Sequence, residues 1–189
     1  MGINLTKGSK IDLTKGNSGL NEILVGLGWD PQQKRGLFGL GCSSDFDLDA
    51  SAYVIGDTGR IDRVYYGHRN GSGVYHTGDN LTGQGDGDDE QLIITLSNVP
   101  ANATKIGFTV DIYQAAARGQ NFGMVKNAYI RLVDKATGQE ICRYNLGDDF
   151  KKETAVIMGE VYRHDGEWKF SAIGAGFNYG RRALEDYYR

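Results

Sequence analysis

The sequence predicts an all-β fold, a β-sandwich of two sheets with one or two short helices. Three observations carry this reading. Glycine is abundant, 28 of 189 residues, about twice the usual ~7% share, while only two prolines occur. The apolar stretches are short, many alternate with polar residues, and Gly, Asn, Asp or Pro bounds them. No long helical pattern recurs between them, as a βαβ fold would require.

Taken in order, Leu5–Lys7 and Ile11–Thr14 form two short alternating runs around a turn at Gly8. Asn21–Gly28 is strongly apolar, and Asp45–Val54 alternates strictly at its start. Arg60–Tyr66, Gln91–Leu96, Ile106–Tyr113, Ala128–Val133 and Glu140–Asn145 continue the series. Val161–His164 and Glu167–Phe170 flank Asp165–Gly166, and Asp-Gly between alternating runs is the strongest short hairpin signal. Helix is expected only as a turn near Tyr113–Ala117 and over the terminal Arg181–Arg189, and Lys151–Met158 reads equally as helix or strand. No linker or composition shift divides the chain, so residues 1–189 are read as a single domain.

The charge is unevenly spread. Gly36–Gly59 and Asn70–Thr104 together hold nine carboxylates and no Lys or Arg. The chain has 24 acidic and 21 basic residues, so the remainder is basic and the acidity is local. Clustered carboxylates repel one another, and a hard divalent cation is their best counterweight. In the first cluster, Asp45, Asp47 and Asp49 alternate with Phe46 and Leu48. On a strand the three Asp share one face, about 6.6 Å apart, with the apolar pair on the other. The outer two would lie about 13 Å apart, too far for one ion with calcium–oxygen bonds of roughly 2.3–2.6 Å. Either the segment bends or the row serves two ions; two ions are favoured, with Asp47 near both. The second cluster runs from Gly78 to Glu90 and offers Asp79, Asn80, Asp86, Asp88, Asp89 and Glu90 in a glycine-laced loop. Such a loop turns carbonyl oxygens inward as further ligands.

The spacing is not that of an EF-hand: the glycine and ligand positions do not match from either Asp45 or Asp79. Zinc is disfavoured because His68, His76 and His164 show no paired spacing with Cys42 or Cys142. The all-oxygen set favours Ca2+, about two ions, with magnesium second.

The segments LVGLGWD (Leu24–Asp30), DFDLDASA (Asp45–Ala52), HTGDNLTGQGDGDDE (His76–Glu90), NFG (Asn121–Gly123), AYIRLVD (Ala128–Asp134) and GEVYRHDGEWKFSAIG (Gly159–Gly174) resemble the TerD family. That family is named for tellurium resistance and includes bacterial general stress proteins. The resemblance spans nearly the whole chain. It implies a two-sheet sandwich binding two calcium ions through the acidic motifs. It also implies a role in resistance to tellurite and other chemical stress, with other tellurium-resistance or stress proteins as partners at the inner membrane surface. Two departures stand out: Pro31–Ser44 is longer than the pattern, and YQAAARGQNFG (Tyr113–Gly123) lacks an early His or Asp.

Other classes are poorly supported. A net charge of −3 gives no reason to expect a nucleic-acid partner. The first residues lack the apolar core of a signal peptide, and no run approaches ~18 apolar residues, which points to a cytoplasmic protein without a transmembrane segment. Cys42 and Cys142 are expected as free thiols. Trp29 and Trp168 read as packing residues. No nucleophile elbow, zinc-protease or P-loop motif occurs, so no catalytic residue is assigned. The expected function is a non-enzymatic, calcium-binding stress module. The alternatives are a metal-dependent hydrolase and a calcium-dependent small-ligand-binding domain.

Overall fold

The computed structural model describes residues 2–31, 47–78, 87–146 and 150–189. The strands in chain order are β1 (Ile3–Leu5), β2 (Lys10–Asp12), β3 (Glu22–Pro31), β4 (Leu48–Gly56), β5 (Gly59–Val64), β6 (Asn70–Gly71), β7 (Val74–His76), β8 (Glu90–Thr95), β9 (Ala103–Ile112), β10 (Val125–Asp134), β11 (Gln139–Asn145), β12 (Ala155–His164) and β13 (Glu167–Phe177). The helices among the described residues are short: α1 (Ala115–Arg118) and α2 (Arg181–Tyr187).

The strands form two sheets, in the orders β1-β11-β10-β3-β8-β7-β6 and β2-β13-β12-β9-β4-β5. This is the predicted all-β sandwich. Pairing is antiparallel except between β1 and β11. The core lies between the sheets. Ile23, Val25, Leu27 and Trp29 of β3 and Leu92 and Ile94 of β8 meet Leu48, Ala50, Ala52 and Val54 of β4 and Ile106, Phe108 and Val110 of β9. Each set is spaced by two, as one face of a strand must be. Trp29 and Trp168 both belong to this core, as expected of packing residues.

A second, smaller core covers the outer face of the six-stranded sheet. Leu184 and Tyr188, in and just after α2, pack on Tyr53 and Ile55 of β4 and Ala155 and Ile157 of β12. The Tyr53 and Tyr188 rings stack at 5.0 Å. This explains the ambiguous Lys151–Met158 stretch. Residues 155–158 are strand, and all four are buried because core lies on both sides of the sheet. A continuous apolar run of that kind cannot be assigned by period alone. The Asp-Gly hairpin signal is sound: Asp165 and Gly166 have φ of 55° and 77°, the two positive angles of a type I′ turn. The short β6–β7 hairpin is not anticipated by the sequence, because two- and three-residue strands carry too little alternation to read.

Candidate metal centre and its carboxylate network

The two acidic motifs enter opposite sheets. The first leads into β4 of the six-stranded sheet and the second into β8 of the seven-stranded sheet. Of the candidate ligands, Asp47, Asp49, Asp88, Asp89 and Glu90 are described, while Asp45, Asp79, Asn80 and Asp86 lie outside the described residues. Cys42 and most of the Pro31–Ser44 segment also lie outside them.

On β4 the alternation works as predicted. Leu48 faces the main core, and Asp49 faces the opposite, outer side. There it meets a residue that sequence reasoning missed. Asp111 of β9 stands directly opposite Asp49 in the strand register, and both are almost wholly buried. Asp111 occupies the outer face of its strand because Ile106, Phe108, Val110 and Ile112 take the inner one. The signal was a lone acid in the run Ile106–Tyr113, at a polar-phase position. Like charges directly opposite on paired strands destabilise a sheet. The pair is poorly compensated. Arg181 of α2 approaches with Nη2 3.7 Å from Asp49 Oδ2 and Nε 3.8 Å from Asp111 Oδ2. Those distances exceed the ~3.2 Å reach of an N–H···O bond. Asp49 Oδ2 and Asp111 Oδ1 are buried without a hydrogen-bond partner among the described residues. Burial, then the neighbouring Asp111 and Asp47 charges, pushes the Asp49 carboxyl up to about 7. Burial likewise raises Asp111 to about 6, against the pull of Arg181 and Arg63. Asp47, at the mouth of β4, lies 3.8 Å from Arg118 of α1. A groove of about 780 Å³ runs beside this pair, lined in part by Asp111, Gln114, Tyr179, Arg181 and Arg182.

The second motif is built differently. Its three described carboxylates diverge to three separate partners. Asp88 swings to the outer face of the seven-stranded sheet, where Arg131 of β10 donates two bonds to it, Nε at 2.7 Å and Nη2 at 2.9 Å. The Tyr129 hydroxyl lies 3.0 Å from Asp88 Oδ1 and 2.7 Å from the Gly87 carbonyl and shares its one proton between them. Gly26 of β3 makes the room, since a Cβ there would overlap the Asp88 carboxylate. Asp89 accepts the Trp29 N–H at 2.8 Å, and burial raises its pKa all the same. Glu90 points between the sheets and accepts the Ala50 N–H at 2.6 Å, with His76 Nε2 3.4 Å away. The Glu90–Ala50 bond ties β8 to β4 across the sandwich. Asp88 and Glu90 therefore do not share one face, because regular strand geometry starts only at Glu90. Among the described residues, no three His, Cys, Asp or Glu side chains converge closely enough to hold a metal ion.

Compared with known proteins, the model of the TerD domain matches residues 1–188. The chain belongs to the TerD family. It is 49% identical to general stress protein 16U of Bacillus subtilis, covering 99% of this chain and 97% of that one. It is 45% identical to the tellurium resistance protein TerD of Serratia marcescens, covering 94% and 92%. The uncharacterised YceE of B. subtilis is 52% identical over 97% and 96%. Among solved structures, a homologue of telluride resistance protein (TerD) from Streptomyces coelicolor A3(2) superposes with a TM-score of 0.69. It covers 88% of this chain and 95% of its own at 20% identity, which shows a shared fold. The TerD family assignment carries a tellurium-resistance and general stress context. Among the described residues no helix is long and apolar enough to cross a membrane.

Proposed function

We propose that this TerD-family chain is a calcium-binding stress-response module that acts by binding and assembly rather than by catalysis. The observation that supports it best is the Asp49–Asp111 pair. Two facing buried carboxylates, each with an oxygen lacking a hydrogen bond among the described residues, suit a hard cation with oxygen ligands. Asp45, Asp47 and Asp49 from the first motif, and Asp79, Asn80, Asp86 and Asp89 from the second, are the proposed ligands for about two ions. Asp88 and Glu90 complete the proposed set and also anchor the motif, through Arg131 and the Ala50 N–H. Calcium would add positive charge beside Asp49 and Asp111, which Arg181 approaches only to 3.7 and 3.8 Å. The chain's own contribution is to hold those carboxylates on two sheets joined by the Glu90–Ala50 bond.

The names of the relatives support resistance to tellurite and other chemical stress as the context. Other stress or tellurium-resistance proteins, meeting this one in the cytoplasm at the inner membrane surface, are the proposed partners. Isothermal titration with calcium, followed by pull-down with and without chelator, tests the reading. Binding of about two ions and chelator-sensitive capture of a partner support it; no calcium-dependent heat sinks it.

A second reading, calcium-dependent binding of a small ligand, is favoured by the groove beside Asp111. Its rim carries Tyr179, a large aromatic that is 86% exposed. A ligand screen in calcium, repeated with Tyr179→Ala, separates this from the assembly reading.

A further inference from the structure

We propose that Asp111 is a cation ligand partnering Asp49, and that Arg181 is the built-in counter-ion which an entering divalent cation displaces. The inference rests on the calcium reading and extends it to two residues outside both acidic motifs.

The pair is set by strand register, so its geometry does not depend on a flexible loop. Asp49 and Asp111 are opposed across the β4–β9 ladder, which puts their Cβ atoms about 4.5–5.5 Å apart. Each side chain is only 4% exposed. Ionised, this buried carboxylate pair needs positive charge, and Arg181 provides it from 3.7 and 3.8 Å without a hydrogen bond to either. Guanidinium normally meets a carboxylate as a bidentate fork, as Arg131 does with Asp88. Arg181 spans two carboxylates and closes on neither, so it neutralises charge without filling the donors' lone pairs.

The support of Arg181 fits a displaceable role. The later part of α2 is firmly seated: Leu184 is fully buried, Tyr188 Oη donates to Glu160 at 2.8 Å, and Arg63 pairs with Glu185 at 2.8 Å. The first turn, where Arg181 sits, follows two residues at positive φ, Tyr179 at 74° and Gly180 at 56°. For a tyrosine that region is strained. Cation entry would then release the first turn from the Gly180 N–H bond to Thr154 Oγ1, 2.9 Å long, and let Arg181 swing into the groove it already lines, while the C-terminal anchor holds.

The experiment is calcium titration of the full chain and of Asp111→Asn and Arg181→Gln, with hydrogen exchange across residues 178–189 in calcium and in chelator. The losses expected of Asp111→Asn are about 10–100-fold in affinity at one site, the scale seen when even a ligand's supporting partner is removed. Arg181→Gln should tighten calcium binding several-fold, whereas a purely structural arginine would weaken it or leave it unchanged. In wild type, calcium should speed exchange at residues 179–183 and leave 184–188 protected. If wild type binds calcium and Asp111→Asn binds it equally well, the inference is overturned and the calcium reading stands. If wild type binds none, both fall. Should Asp111→Asn not fold, the sign of the Arg181→Gln effect and the exchange pattern decide.

Discussion

The two acidic motifs handle the same physical problem in opposite ways. At the β8 entrance each described carboxylate has a donor of its own: Asp88 has Arg131 and Tyr129, Asp89 the Trp29 N–H, and Glu90 the Ala50 N–H. At the β4 entrance, Asp49 and Asp111 share one arginine at 3.7 and 3.8 Å, and each keeps a buried oxygen without a hydrogen bond among the described residues. The first arrangement contributes to the folded state as it stands. The second costs stability as it stands, because like charges oppose each other across paired strands. Acidic composition alone therefore does not tell which carboxylates have donors of their own; the partner geometry does.

The largest effect should come from breaking the satisfied region. Arg131→Ala leaves Asp88, whose side chain is fully buried, without its bidentate partner. Removing one member of a buried pair costs about 3–5 kcal/mol, and the lower end applies because Arg131 is partly exposed. Chemical denaturation with and without calcium should show the loss in both conditions.

Metal removal comes next. If the proposed sites are saturated 100-fold above their dissociation constant, each contributes about 2.7 kcal/mol. Chelator should lower the melting temperature of wild type, and Asp47→Asn should show a smaller calcium-dependent shift. An unchanged melt in chelator would remove the contrast between the two regions.

Glu90→Gln keeps the size of the side chain and weakens a charge-assisted bond to Ala50. A loss of about 1.5–3 kcal/mol is expected, again in both conditions. Asp49→Asn is the sharpest comparison, because the same chemical change should act with the opposite sign. In chelator it relieves a like-charge pair, so stability should hold or rise by up to about 1 kcal/mol. In calcium it should lose part of the metal-dependent gain. A loss in chelator equal to that of Glu90→Gln would show that the two regions are not different in kind.

The smallest effects serve as controls. Asp57→Asn lies in the exposed β4–β5 turn and should change stability by no more than about 0.5 kcal/mol. Cys142 has a free, buried thiol that burial pushes up to about 12. The thiolate is the reactive form, so native protein near pH 8 should resist alkylation at Cys142, and unfolded protein should not.

Much of the molecule is legible in the chain itself. Alternation in Phe46–Asp49 predicts that Leu48 turns inward and Asp49 outward, and the Asp165–Gly166 turn fixes its hairpin, because both depend only on neighbours along the chain. Residues 155–158 are not legible, since burial on both sheet faces erases the period-two signal. The fold class and the family follow from the strand pattern and the motif residues themselves. The meeting of Asp49 with Asp111, 62 positions apart in the register of β4 on β9, was decided by tertiary structure alone. So were the reach of Arg181 from the far end of the chain to both acids and the capture of Asp88 by Arg131 over a glycine floor. Local patterning decides which face a side chain takes. Which charges share that face depends on strands paired from distant parts of the chain, and no local pattern encodes that pairing.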